Sequence, residues 1–452
     1  MKYFKRIKST IFPLLFLGFS FIATAQTFVS GGIYSNTTWT LVNSPYIVTD
    51  TVVVFPGVTL TIQAGVRVKF ANNKRLEIRQ AKIIALGTEV DSITFTSNSV
   101  NPSPGIWSSI FLNQSFPSKF NYCNFFYSNE AISGLAGIGA DTIFLKNSSF
   151  VSNINGLTGY KGIIDSCKFK SNTNGIDHLA GGKLYNSIFS NNQIGMNVGG
   201  VGLEIVNCTI KLNQTGIYGN NGLYVKNCIV DSNNIVGIHL FQNLDSIINC
   251  KIRYNGIGYF NSDLVSYIYD RNIITKNIIE DNNIGIKTYD WSDSIFCNRI
   301  CNNTSYGFSF YVPFNNNMNV KNNYWCTPDS ASTEVLIYDG YDNINYGLVR
   351  IMPLDTLQCY LSVGLPIDMA QQSSFDIFPN PTASNLMLKL DKLNSNGEVH
   401  IYNIIGSLQS TFFIEKQEME IDVSSLSNGI YIIEVSTGNK ISRQKFIKQS
   451  ER

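Results

Sequence analysis

The chain has 452 residues, with 34 basic and 32 acidic side chains, three His, 44% hydrophobic residues and only 15% charged ones. That length calls for two or three domains, and that composition supplies a sizeable core, which excludes a disordered chain. The near-neutral balance lacks the basic footprint of a nucleic-acid binder. Three His argue against a His-rich metal site or a His-dependent acid–base enzyme, so no metal and no cofactor is expected.

Residues 1–25 have the form of an export signal. Lys2, Lys5, Arg6 and Lys8 precede an apolar run from Ile11 to Ala23, and Ala23-Thr24-Ala25 is an A-x-A cleavage pattern. The run is too short for a transmembrane anchor, and no later stretch reaches 18 apolar residues. Cleavage leaves 30 basic against 32 acidic side chains, a net charge of −2.

The next block, up to about residue 115, is written in short alternating strands. Thr51 to Gly65 forms two strands joined at Pro56-Gly57, and Val66–Phe70, Leu76–Ile78, Ser92–Thr96 and Gly105–Phe111 continue the series. Arg67 and Lys69 share one strand face, and with Lys74, Arg75, Arg79 and Lys82 they make the strongest basic cluster. It is either a strip for an anionic glycan or an ordinary solvated face.

From 121 to 325 the sequence repeats, and 36 of these 205 residues are Asn. A bulky apolar residue is followed three positions later by Asn, and then by Gly and another apolar residue. The phased positions are Asn129, Asn153, Asn172, Asn192, Asn213, Asn233, Asn255, Asn282 and Asn303, the first in a degenerate copy built on Phe126. A period near 21 with short strands predicts a parallel β-helix whose turns stack about 4.8 Å apart. Asn suits such a turn because it tolerates the left-handed conformation and its amide can bond the next amide along the stack. The following Gly is expected to serve a second turn with positive φ.

A second column lies two residues before each bulky residue: Asn124, Ser148, Cys167, Ser187, Cys208, Cys228, Cys250, Asn277 and Asn298. Residues i and i−2 of a strand share a face, so this column also points inward. Its Cys are read as small core residues; pairing of in-register neighbours as disulfides is the alternative. With nine Cys at least one thiol stays unpaired.

The coil between Asn255 and Asn282 is about six residues longer than the norm, and extended loops on such a scaffold commonly wall a groove. Tyr267, Tyr269, Asp270 and Arg271, with Tyr289, Asp290 and Trp291 of the next coil, are the candidate ligand-binding residues; an ordinary insertion is the alternative. His178 and His239 sit at similar offsets three coils apart, too far to share a metal, and are expected at the surface. Asp281-Asn-Asn283 lacks the acidic density of a calcium site.

Asn322 to Trp325, Ile337 to Asp339 and Gly347 to Pro353 read as closing coils, so the solenoid is expected over 26–360, with a linker at 361–373. Residues 374–452 then change pattern to longer alternating strands between Asn, Gly and Pro turns, a small β-sandwich.

The Gly57-Val-Thr-Leu-Thr-Ile62 and Gly65-Val-Arg-Val68 series resembles the opening coils of secreted bacterial right-handed, pectate-lyase-like parallel β-helices. Phe378-Pro379-Asn380-Pro381, Val399-His-Ile-Tyr-Asn403, Leu426 to Gly429-Ile-Tyr431 and the basic last strand resemble the type A C-terminal sorting domain of the Bacteroidetes type IX secretion system. That resemblance implies export through the inner membrane, then delivery by the type IX machinery to the cell surface or the medium. It implies no catalysis. β-Helices include lyases, hydrolases, epimerases and adhesins, so the fold leaves function open. Polygalacturonase-like motifs and any Asp-Asp pair are absent from the chain. The favoured expectation is a structural, adhesive or glycan-binding module with a polysaccharide as partner. The alternative is a lyase or epimerase acting on an acidic polysaccharide.

Overall fold

The computed structural model describes residues 26–449 except 135–141, 160, 180, 200–201, 221, 242–243, 264–270, 290–291, 311–315, 356–358, 360–374, 391–396, 404–407, 415 and 438–439. The expected export signal and linker lie outside the described residues. The chain divides into two units, Met1–Ser362 and Val363–Arg452.

The first unit is a parallel β-solenoid. Among the described residues, one parallel sheet has 12 strands, one per coil, and a second holds 25 strands from the other two sides. A typical coil runs through the strands Lys161–Asp165, Lys168–Lys170 and Asn174–Leu179, each in register with its counterpart one coil on. The opening strands fall where alternation placed them: Tyr46–Val54 and Thr59–Ile62 flank Gly57, whose φ is +80°.

The phased Asn side chains are buried rungs. Asn213 Nδ2 donates to Asn233 Oδ1 at 2.9 Å and to the Phe189 carbonyl at 3.2 Å, and its backbone N–H donates to the same Asn233 oxygen at 3.1 Å. The pattern repeats from Asn153 through Asn303, with amide-to-amide distances of 2.9–3.1 Å. Both amide hydrogens and the acceptor oxygen of an interior rung are therefore satisfied, as burial requires.

Three expectations are corrected. Asn129 is exposed and is no rung; Ser128 takes the position, its N–H and Oγ donating to Asn153 Oδ1 at 2.9 and 2.7 Å. The inward aromatic of that coil is accordingly Phe125, stacked 4.6 Å from Phe150, and the second column opens at Cys123 rather than Asn124. The left-handed residue is the one before each rung, for example Ser171, Leu212 and Asp281, not the rung itself. The repeat glycines have ordinary φ. They are Gly because a Cβ on Gly216 would lie 2.4 Å from the carbonyl oxygen of Gly237 in the next coil. In the degenerate coil Ala131 stands in register with Gly156.

The second column does more than fill space. Each member offers an acceptor to the backbone N–H of the coil before it: Ser148 to Cys123 at 3.0 Å, Ser187 to Cys167 at 3.1 Å, Asn277 to Cys250 at 2.8 Å. From Asn277 it becomes a second amide ladder through Asn298 to Asn323, with steps of 3.0 Å. Its cysteines do not pair. Cys123, Cys167, Cys208, Cys228 and Cys250 are buried free thiols, and burial pushes the Cys167 thiol up to about 12, which makes it inert. The disulfides are Cys297–Cys359 and Cys301–Cys326, both in the closing coils.

The second unit packs a three-stranded antiparallel sheet and a four-stranded one around a common core of Phe375, Leu386, Leu388, Val399, Ile401, Ile433 and Phe446. Asn380 joins its first segment to its last strand: Nδ2 donates to the Lys445 carbonyl at 3.0 Å and Oδ1 accepts from Ile447 N–H at 2.9 Å. Phe378 stays half exposed beside it. Tyr431, in the strand opened by Gly429, stacks on Phe446 and donates to the Ser427 carbonyl at 2.9 Å.

Asn213→Ala removes the acceptor of the Asn192 backbone N–H and the side-chain donor to the Phe189 carbonyl, at about 1–3 kcal/mol for each buried group, while Asn192 Nδ2 keeps the Phe169 carbonyl. We expect it to destabilise the solenoid by about 2–5 kcal/mol in chemical denaturation, and Asn129→Ala by less than about 0.5 kcal/mol. Equal losses would refute the register.

Candidate functional site

The strands that follow the Asn rungs carry one outward position on successive coils. Register aligns Asp177, Asn197, Tyr218, His239, Phe260 and Lys287 in a single row. Neighbouring strands stand about 4.8 Å apart, so six members span about 24 Å. All six are half-buried.

The row grades from polar to aromatic to cationic. Asp177 accepts from Asn197 Nδ2 at 2.7 Å and lies 3.0 Å from His178 Nδ1. Tyr218 packs edge-on to His239 at 5.0 Å and against Phe241 at 4.8 Å. His239 stacks on Phe260 at 4.6 Å, and Phe260 meets Tyr289 at 5.6 Å. Lys287 Nζ sits 5.8 Å from the centre of the Phe260 ring, a cation–π distance.

Burial sets the charge state here. His239 is pushed down to about 4, so its ring is neutral at pH 7; Nε2 lies 2.8 Å from Ser262 Oγ. Burial also lowers the Lys287 ammonium below its ordinary value. A shallow groove of about 800 Å³ adjoins the row, lined by Gln193, Ile194, Leu212, Gln214, Thr215 and Ile235 among others. Ile194 and Asn197 share one strand, as do Thr215 and Tyr218, so the groove lies at the start of two of the strands that carry the row. Gln214 Oε1 accepts from Asn234 Nδ2 at 2.9 Å across the groove's edge.

Of the residues singled out in the long coil and the next one, Tyr267, Tyr269, Asp270, Asp290 and Trp291 lie outside the described residues. Arg271 is exposed, and Tyr289 joins the aromatic row. The basic cluster does not form one strip. Arg75 and Arg79 both pair with the buried Glu77 at 2.7 Å and lie over Phe111 and Phe55, while Lys74 pairs with Asp50 at 2.9 Å. Lys82 belongs to a strand of the other sheet from Arg67 and Lys69. His178 is exposed with φ +55°, beside rather than in the row of His239. Among the described residues, no group of three or more His, Cys, Asp or Glu is placed to hold a metal, and no helix is long and apolar enough to cross a membrane.

Residues 376–449 match the family of secretion system C-terminal sorting domains. The chain is a parallel β-solenoid that ends in a type IX secretion sorting domain. Asn380 and Tyr431 thus tie segments of that sorting domain together, and the domain marks the chain for secretion. A stretch of 88 residues, 19% of the chain, is 31% identical to the ulvan lyase NLR42 of Nonlabens ulvanivorans, and it spans 16% of that protein. Eighty-eight residues are too few to cover the solenoid. Among solved structures, the periplasmic alginate epimerase AlgG aligns over 68% of this chain and 76% of its own, at 11% identity and a TM-score of 0.32. The enzymatically active domain of bacteriophage CBA120 tailspike protein 2 aligns over 95% and 73%, at 10% identity and a TM-score of 0.22.

The depressed His239 makes a signed prediction. Its folded pKa lies below the ordinary value of 6.5, so its contribution to stability is present above about pH 6.5 and is lost as pH falls towards about 4. His239→Phe is expected to remove that acid-side loss of denaturation midpoint. An unchanged pH profile in the variant would contradict the burial of the ring.

Proposed function

We propose that the secreted solenoid is a glycan-binding module, carried to the cell surface or the medium by its sorting domain. The observation that supports this reading is the outward row itself. It offers Tyr218 and Phe260 for apolar sugar faces, Asp177 and Asn197 for hydroxyls and Lys287 for a carboxylate or sulfate, along a line suited to an extended polymer. The amide-lined groove beside it adds hydrogen-bonding capacity. The strand that carries Phe260 ends at Asn261, and Arg271, where the described chain resumes, is exposed.

A lyase or epimerase on an acidic polysaccharide is the second reading. It draws support from His239, whose burial favours its neutral, basic form. Such an enzyme abstracts the proton beside the uronate carboxylate, and a base in that state is a requirement of the step.

A glycan array with the purified protein, read beside the ultraviolet absorbance of unsaturated products on uronate polymers, distinguishes the two. The module reading expects retention of a linear, anionic glycan without turnover. It expects the double variant Tyr218→Ala/Phe260→Ala to weaken retention at least about tenfold, the scale of losing interface aromatics. Unsaturated product abolished by His239→Ala would favour the enzyme. Undiminished binding by the double variant would remove the row from the account.

A further inference from the structure

A third column of polar side chains runs inside the solenoid, beneath the coils that carry the surface row. Register places Asp245, Asn272 and Asp293 one above another, each just before a strand of the 12-stranded sheet. All three are at most 4% exposed. Each accepts the backbone N–H of the rung or coil before it: Leu223 N–H to Asp245 Oδ1 at 2.6 Å, Asp245 N–H to Asn272 Oδ1 at 3.0 Å, Asn272 N–H to Asp293 Oδ1 at 3.4 Å.

The rungs differ in what their second atom finds. Asn272 Nδ2 donates to Tyr259 Oη at 3.2 Å. Asp293 accepts from Tyr259 Oη at 3.1 Å and from Asn261 Nδ2 at 3.1–3.2 Å, the environment of an ionised carboxylate. Asp245 Oδ2 is buried and has no partner. In the Asn ladders the corresponding atom is a donor: the Nδ2 of each rung bonds the same oxygen that its backbone N–H bonds, as Asn213 does to Asn233. A carboxylate oxygen fills that role only when it carries a proton.

We propose that Asp245 is a proton-dependent rung: as the neutral acid its Oδ2–H donates to Asn272 Oδ1 and completes the column, and as the anion it loses that bond and keeps the bonds to the Leu223 N–H and from its own N–H. The ionisable groups facing it are Tyr259 and Asp293 of the following coils; the preceding coil offers only backbone N–H groups from Leu223 and Gly222. Burial, with a contribution from Asp293 and then Asp245, holds the Tyr259 phenol well above its ordinary value, so it stays neutral, and among the described residues no cation pairs with Asp245. Burial pushes Asp245 up to about 7 from 3.8. Its contribution to stability is therefore complete below about pH 4 and is lost as pH rises towards about 7, opposite in sign to that of His239. This device does not depend on what the surface row binds.

Asp245→Asn supplies a permanent donor and is the test. The denaturation midpoint of the full chain, measured at intervals from pH 4 to 8 for wild type and variant, cancels the His239 contribution in the difference. The proposal expects the variant's advantage over wild type to grow with pH and to level off above about pH 7. A difference that stays constant across the range overturns it. Infrared spectroscopy of the wild type needs no variant: a buried carboxylic-acid carbonyl band is expected at pH 6, fading through pH 7. It is expected to survive Asp293→Asn, and absence of the band at pH 6 overturns the proposal.

Discussion

The fold rests on one demand, that backbone groups at every corner of a stacked coil find partners away from water. A parallel strand satisfies its neighbours along its length, but a turn does not. The Asn rungs meet the demand at one corner. Each caps an N–H of the coil before it, bonds that coil's amide, and returns its own amide hydrogen to a strand carbonyl, as Asn233 does between Asn213, Asn255 and Ile210. The Ser, Cys and Asn column meets it at the second corner, and in three coils Asp245, Asn272 and Asp293 meet it at the third. With the corners fixed, stacked Phe125, Phe150, Phe169 and Phe189 fill the interior at the same repeat distance.

That order explains what was legible from sequence. Rungs must recur chemically, so their phase stands out as Asn every coil, and the inward Phe or Ile three residues earlier follows with it. The slip at Asn129 arose where two aromatics, Phe125 and Phe126, compete for the inward position and the rung is a Ser. The role of the repeat glycines is ambiguous in the sequence because Gly signals either positive φ or close approach, and only the stacked neighbour at Gly237 distinguishes them. The surface row is not legible in the sequence for a related reason. Asp177, Asn197, Tyr218, His239, Phe260 and Lys287 share no residue type, and only the register brings them together. Tyr289 stands out in the sequence only as a neighbour of the long coil, not through its place beside Phe260.

The disulfides fit a secreted chain, since such bonds persist outside the reducing cytosol. They sit in the closing coils, where the regular ladders end at Asn303 and Asn323 and strand edges need a cap. The interior thiols are shielded by burial from the same oxidising surroundings. The two units thus divide the work: the sorting domain determines delivery, and the solenoid holds a row of varied side chains at a fixed pitch.

Hydrogen–deuterium exchange of the full chain with and without a retained oligosaccharide tests the account most directly, because it reads ligand position on the scaffold. The account predicts added protection in Ile194–Gly199, Thr215–Asn220, Val236–Leu240 and Ile257–Asn261, the strands of the row and groove. Protection confined to the outward face of the Arg67–Phe70 strand, or to the sorting domain, would contradict it.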